Sequence, residues 1–438
     1  ISSLLFLNAL ILILLRNHNL SLGVKESIIS VNLVWILLGI GGAIPLVLYT
    51  NIDFASAFFE AISGFTTTGA SIYTDVEILP RSILFHRSLM HWIGGVGIIV
   101  LGVGLLPLIN PSGSLSLFKA ESTGISIDKI TPKIKDTAKL IWGIYLLFTV
   151  LNIFALKICE MSWFDAINHA LSTVATGGFS TKNSSLGFFS DGAIAVTTFF
   201  MVISGVNFIA HIRFIGGDKK SYFNEETYWY IGLVLGLSIC LTLIHYMQSS
   251  DSLYLSALHS TFTIVTLATT TGFASIDYEQ WSQFAIMTMI LAMIMSAQAG
   301  STAGGVKIIR YVLFFKNISL EIKRSLRPDL IISLFVDGKQ IKSSIINSIF
   351  GFFSLFLLTL AVATFYMYAR GYDALTSITT SIAMLGNIGP AFGMTGPTDN
   401  YAFFSWYDKI FLSAVMIIGR LECYTVFILL SRTFWRKF

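Results

Sequence analysis

Residues 58–69 read FFEAISGFTTTG, a short apolar stretch that runs into three threonines and a glycine. Three later stretches repeat the plan when aligned on one glycine each: INHALSTVATGG (167–178), TFTIVTLATTTG (261–272) and ITTSIAMLGNIG (378–389). The aligned glycines are Gly69, Gly178, Gly272 and Gly389, spaced by roughly 95 to 115 residues, which reads as four copies of one unit. Longer apolar runs flank them, at 28–50, 140–156, 230–246 and 349–368. These approach the ~20 residues that a helix needs to cross ~30 Å of hydrocarbon. The stretch before each glycine is about 11 residues, too short to cross. It reads as a half-helix that dips in and returns as an extended strand. Such backbone is tolerated at membrane depth only where protein buries it or water reaches it, so four copies are expected to meet around a shared aqueous axis.

The expected fold is therefore an all-α polytopic membrane protein of four pseudo-symmetric span–loop–span units around one central pore. The units fall at 28–110, 134–215, 227–325 and 342–438. Residues 1–16, an apolar tail closed by Arg16, read as the end of an extra N-terminal helix rather than a cleaved signal peptide. Composition agrees: of 438 residues 54% are hydrophobic and 12% charged, against about 25% charged in soluble domains. Removing the spans leaves no segment long enough for a separate soluble domain. The net charge of +4 is modest and argues against nucleic acid as a partner. Cys159, Cys240 and Cys423 show no CxxC pair and read as packing residues. No metal-ligand spacing joins the histidines, and His91, His211 and His259 read as packing residues too.

Charge placement tests the topology. If all four turns face one side, the connections on the other carry Lys119, Lys129, Lys133, Lys135, Lys139, Arg213, Lys219 and Lys220, then the basic run from Lys307 to Lys342. With Arg16, Lys25, Arg432, Arg436 and Lys437 this collects about three quarters of all Lys and Arg. The positive-inside bias then puts both termini and all connections in the cytoplasm.

Potassium filters replace the ion's hydration shell with rings of backbone carbonyls, and glycine reaches the backbone conformations this requires. TTTG, ATGG, TTTG and GNIG have that character. A carboxylate ring is excluded, because the position of Glu60 is filled by His169, Thr263 and Thr380 in the other copies.

On these residues the chain resembles the Trk/Ktr/HKT superfamily of cation transporters from about Ile28 to its end. The resemblance rests on FFEAISGFTTTGAS, HRSLMHWIGGVGIIVLGVGLLP, STVATGGFST, ISGVNFIAHI, TTTGFAS, AGSTAGGVKIIR, LGNIGP and the terminal GRLE and FWR. It implies four M1–P–M2 units that imitate a fourfold potassium channel in the bacterial cytoplasmic (inner) membrane. By motif, the ion-facing backbone is carried to Thr67, Thr68 and Gly69; Thr176, Gly177 and Gly178; Thr270, Thr271 and Gly272; and Asn387, Ile388 and Gly389. Family members with serine at the first-loop glycine tend toward sodium, so Gly69 implies potassium (K+) as the permeant ion. Loop four departs most, and an asymmetric filter is expected. The resemblance also implies a homodimer in lipid and a separate cytosolic ring of nucleotide-binding RCK proteins (TrkA-like).

Within unit three, SAQAGSTAGGVK interrupts the second span. Three glycines between Gly300 and Gly305, at ~1 kcal/mol each in a helix interior, argue for a break. Ala297, Gly300, Ser301, Thr302, Ala303, Gly304 and Gly305 are small enough to move as a loop below the filter, and the resemblance implies an intramembrane gate. The alternative is a kinked helix packed closely through small residues. This chain carries no nucleotide site: GxxxxGK[ST] would need lysine at Val306. Arg420, inside the last span, costs ~2.5 kcal/mol or more unless it meets water or a partner. It either faces the pore below the filter, as the resemblance implies, or joins a buried ion pair. Asp53, Asp165 and Asp373 read as caps of the short helices. The function expected is a potassium channel or uptake subunit; a secondary transporter coupled to H+ or Na+ is the alternative. No HExxH, paired-carboxylate or nucleophile motif points to an enzyme.

Overall fold

The computed structural model describes residues 24–104, 134–327, 329 and 333–436. The expected helix at 1–16 and the basic residues Lys119, Lys129 and Lys133 lie outside the described residues. Unit one comprises α1 (Val24–Thr50), α2 (Phe54–Phe65) and α3 (Arg81–Gly104). Unit two comprises α4 (Ile134–Ile158), α5 (Trp163–Val174), α6 (Asp191–Ser204) and α7 (Phe208–Ile215). Unit three comprises α8 (Glu225–Gln248), α9 (Leu253–Ala268), α10 (Gln283–Ile294) and α11 (Ile308–Leu326). A hairpin of β1 (Phe335–Val336) and β2 (Lys339–Gln340) precedes unit four, which comprises α12 (Ser343–Ala369), α13 (Ala374–Gly386), α14 (Trp406–Arg420), α15 (Tyr424–Leu430) and the terminal turn α16 (Arg432–Trp435).

Five of these helices are long and apolar enough to cross a membrane, and two bent pairs bring the number to seven. Their outer faces carry large apolar side chains in the open: Leu48, Leu235, Leu357 and Phe365 are all more than half exposed. The interior, by contrast, holds most of the threonines, serines and glycines of the four loops, which inverts the soluble pattern and suits a lipid surround.

The short helices α2, α5, α9 and α13 organise the ring. Each packs against its own second span, and also against the second span of the preceding unit: α2 on α14, α5 on α3, α9 on α6 and α13 on α10. The succession closes on itself, so the four units surround one axis. All four short helices start on a serine or aspartate whose side chain accepts from a backbone N–H three residues on: Asp53 from Ser56, Ser162 from Asp165, Ser252 from Leu255 and Asp373 from Thr376. The α5 cap is Ser162, not Asp165 as expected. Asp165 sits one turn further in, where it accepts from Ser162 and Thr181 hydroxyls at 2.6 Å each.

Breaks occur in three of the second spans rather than only in unit three. The α6/α7 pair bends by 92° and the α14/α15 pair by 115°.

Candidate functional site

Each short helix ends in the same way. A residue with left-handed φ follows the last turn: Thr67 (+55°), Thr176 (+53°), Thr270 (+56°) and Asn387 (+55°). Two residues later the aligned glycine is also at positive φ: Gly69 (+83°), Gly178 (+87°), Gly272 (+80°) and Gly389 (+94°). Thr68, Gly177, Thr271 and Ile388 stand between them on the negative side. Backbone of alternating hand turns successive carbonyls toward one side. The N–H groups of those intervening residues turn back into the helix, as Thr68 N–H to Ser63 O (2.8 Å) and Ile388 N–H to Ala383 O (2.9 Å). In each of these trans peptides the C=O stands opposite the N–H, so the carbonyl oxygens of Thr67, Thr176, Thr270 and Asn387 are left to face away from the helix. A β-branched residue at left-handed φ costs of the order of 1–3 kcal/mol, and three threonines hold it here. Loop four avoids that cost, because asparagine tolerates the conformation.

The four loops meet in order. A side chain on Gly69 would begin 2.1 Å from the Gly177 carbonyl oxygen, and one on Gly178 would begin 2.1 Å from Thr271 O. One on Gly272 would begin 2.0 Å from Ile388 O, and one on Gly389 would begin 2.5 Å from Thr68 O. Four carbonyl oxygens, from Thr68, Gly177, Thr271 and Ile388, thus stand in a closed cycle, each against the glycine of the loop before it. The C-terminal ends of all four short helices, with their negative partial charge, lie at this cycle. Loop four keeps the backbone geometry, so the asymmetry resides in side chains: Asn387 Nδ2 donates to Thr68 Oγ1 and to Met416 O, both at 3.0 Å.

Each unit braces its loop from behind with different chemistry. In unit one Glu60 accepts from Ile72 N–H (2.8 Å), Ser71 Oγ (3.1 Å) and Arg87 Nε (2.8 Å), and Arg87 lies 4.0 Å over the Phe179 ring. Unit two uses His169 against Ser180 Oγ (2.9 Å), unit three His259 against Ser275 Oγ (2.9 Å), and unit four Thr380 against Thr395 (2.8 Å). His91 bonds Ser172 Oγ at 2.9 Å, and its ring fills the space beside Gly177. The Glu60–Arg87 pair was missed in the sequence, where Glu60 stood only as an isolated acid.

Beyond the glycines the loops are tied again in a cycle. Val76 N–H donates to Asn183 Oδ1 (2.8 Å), Leu186 N–H to Ala274 O (2.9 Å), Gly393 N–H to Glu279 Oε1 (2.6 Å) and Tyr401 N–H to Ser71 O (2.8 Å). A cavity of about 110 Å³ opens within this collar, lined by Gly69, Gly178, Gly272 and Tyr401 among others. Two carboxyls near the collar are held below their ordinary value, Asp75 by donation from Asn183 and Asp373 by donation from Thr376. Both are therefore ionised at neutral pH.

On the opposite side the break between α10 and α11 forms a loop pinned from several directions. Ala297 O accepts from Ile308 N–H (3.1 Å), and Gly300 O accepts from Phe208 N–H (3.0 Å) at the bend between α6 and α7. Ser301 Oγ turns back to Gln298 O (2.6 Å), and Lys307 Nζ donates to Ala303 O. Gly304 N–H donates to Thr270 Oγ1 (2.7 Å), and a side chain on Gly304 would begin 2.5 Å from Gly386 O. Gly300 and Gly305 hold positive φ, at +74° and +63°. Arg420 is 3% exposed and donates from Nη1 to Thr302 O at 3.1 Å. The ion pair in this region belongs to its neighbour: Arg310 Nη2 lies 2.6 Å from Glu422 Oε2. The loop therefore touches the third and fourth of the glycine loops, the bend of unit two and the last span, directly beneath the carbonyl cycle. Glu226 and Asn207, which also hold it, carried no signal beyond their polarity in the sequence.

Comparison with known proteins places this architecture. The sequence profile of the TrkH family, described as a cation transport protein, matches residues 2–230 and 239–437. The Trk system potassium uptake protein TrkH of Salmonella typhimurium is 36% identical over 94% of this chain and 86% of its own length. Trk system potassium uptake protein TrkG of Escherichia coli is 34% identical over 96% of this chain and 88% of its own. The crystal structure of the potassium transporter TrkH from Vibrio parahaemolyticus superposes with a TM-score of 0.89 at 33% identity, covering 99% of this chain and 91% of that one. The chain belongs to the TrkH family and is a multi-pass membrane protein.

Proposed function

We propose that this member of the TrkH family is the membrane subunit of a potassium uptake system and conducts K+ passively. The ion passes through the cycle formed by Thr68, Gly177, Thr271 and Ile388. That closed cycle of carbonyls and glycines is the observation that carries the reading. An ion entering it trades water oxygens for carbonyl oxygens that are already oriented, so little reorganisation is needed. The helix C-termini add negative potential without a fixed carboxylate that would trap the ion. The collar of inter-loop bonds keeps the cycle rigid, so regulation belongs to the loop 297–305 below it, with Arg420 raising the barrier for cations. The basic connections face the cytoplasm of the bacterial inner membrane, where a nucleotide-binding RCK-type ring would dock, and two membrane subunits would pair. Named relatives are potassium uptake proteins, and no step here calls for bond chemistry.

Rubidium flux into liposomes carrying the purified protein tests the reading. Flux driven by the rubidium gradient alone, unchanged by a sodium or proton gradient, is expected. A strict requirement for either second gradient would make the protein a coupled transporter instead.

A further inference from the structure

The loop 297–305 is held at its start by a carboxylate from another helix. Ala299 N–H donates to Glu226 Oε1 at 2.7 Å, and Glu226 is 4% exposed. The preceding residue, Glu225, faces the β1–β2 hairpin. Its N–H donates to Asp337 Oδ1 (2.8 Å), its Oε1 accepts from Asp337 N–H (3.1 Å), and its carboxylate pairs with Lys316, which also donates to Phe335 O (2.9 Å). Two consecutive glutamates in the first turn of α8 thus grip two different things, the hairpin and the loop.

A second contact joins the same parts. Val336 of the hairpin, fully buried, lies in one apolar cluster with Ala299 of the loop and with Ile309 and Leu313 of α11. The hairpin turn itself is Asp337–Gly338, both at positive φ (+47° and +74°), the geometry of a tight two-residue connection. Phe335 on its outer face is 52% exposed. A rigid, exposed arm therefore ends on the same turn of helix that holds the loop.

We propose that Glu226 is the positioning residue that keeps loop 297–305 across the ion path, and that the hairpin 335–340 is an input arm acting on it through Glu225. Displacing the hairpin rotates the first turn of α8, withdraws the carboxylate from Ala299 and frees the loop. The inference rests on the reading of that loop as the gate.

Flux of rubidium through the full chain in liposomes, without any soluble partner, tests it. Glu226→Ala is expected to raise basal flux on the order of tenfold, the population shift that follows loss of one buried hydrogen bond. Glu226→Gln, which retains a weaker acceptor, should fall between it and the parent. Potassium-over-sodium selectivity should not change. Asp337→Ala, on the surface, should raise flux severalfold alone and add nothing in the Glu226→Ala background. A chain lacking residues 298–304 is the reference. If that deletion leaks while Glu226→Ala and Asp337→Ala match the parent, the proposal is overturned and the gate survives. If the deletion does not leak either, the gate itself is wrong. Equal effects of Asp337→Ala in both backgrounds would overturn the relay.

Discussion

Replacing Gly69 with alanine places a methyl group 2.1 Å from the Gly177 carbonyl oxygen. Ordinary contact begins at 3.4 Å, so the two loops must part by roughly 1.3 Å. Gly177 has little room to retreat, because its N–H is bonded to Ser172 O at 2.9 Å and the His91 ring stands beside its Cα. The left-handed φ of +83° adds ~1–2 kcal/mol for any residue with a Cβ. Displacement of one oxygen by this distance exceeds the difference between the ion–oxygen distances that distinguish hard cations of neighbouring size. Gly69→Ala is therefore expected to lower potassium flux tenfold or more, or to lose selectivity over sodium. Gly178→Ala and Gly272→Ala should behave alike, with contacts at 2.1 and 2.0 Å, and Gly389→Ala should be milder at 2.5 Å. Gly41→Ala and Gly143→Ala, where nothing lies within 4 Å, serve as controls. Competition of potassium and sodium against rubidium uptake in liposomes reads the result. Full flux and selectivity in Gly69→Ala, or a reversed rank with Gly389→Ala the most harmful, would refute the carbonyl cycle.

Arg420→Ala removes both a charge beneath the carbonyl cycle and the donor to Thr302 O, so basal flux should rise; unchanged flux would remove Arg420 from the proposed barrier. Arg87→Met strips the buried Glu60 carboxylate of its partner, and thermal unfolding in detergent should register a loss of ~3–5 kcal/mol, largely restored by adding Glu60→Gln. Asp373 has its carboxyl held below the ordinary 3.8 by Thr376, so its cap is complete above that value and is lost as pH falls through the lower folded value. Asp373→Asn should accordingly flatten that acid limb of the stability curve, by ~0.5–1 kcal/mol, and an unaltered limb would exclude the cap as its cause.

The four loops were legible because glycine at positive φ leaves a mark that survives in a single chain, and fourfold repetition separates it from ordinary turns. The break at 295–307 was legible through its three clustered glycines, two of which, Gly300 and Gly305, hold positive φ. The bend between α6 and α7 left a fainter trace: Gly205 ends one helix and Asn207 caps the next, its side chain accepting from Ile209 N–H at 2.8 Å. The bend after Arg420 left none. Glu422 and Cys423 both adopt positive φ, which neither residue type favours, and the Arg310–Glu422 pair that accompanies it joins residues far apart in sequence. Arg420 itself stood between two readings, pore-facing or ion-paired. The acid two residues on takes the ion pair, and Arg420 turns to the Thr302 carbonyl instead. Asp165 shows the limit of local capping rules, since Ser162 competes for the same helix end and takes it. The braces behind the loops could not be read because each unit solves the same problem with different side chains, so no repeat reveals them.

The most direct measurement is the anomalous scattering of rubidium in crystals of the protein grown with rubidium in place of potassium. Density is expected on the axis within reach of the carbonyl oxygens of Thr68, Gly177, Thr271 and Ile388. An axis empty at that level, with rubidium bound only elsewhere, would contradict a filter built from these four loops.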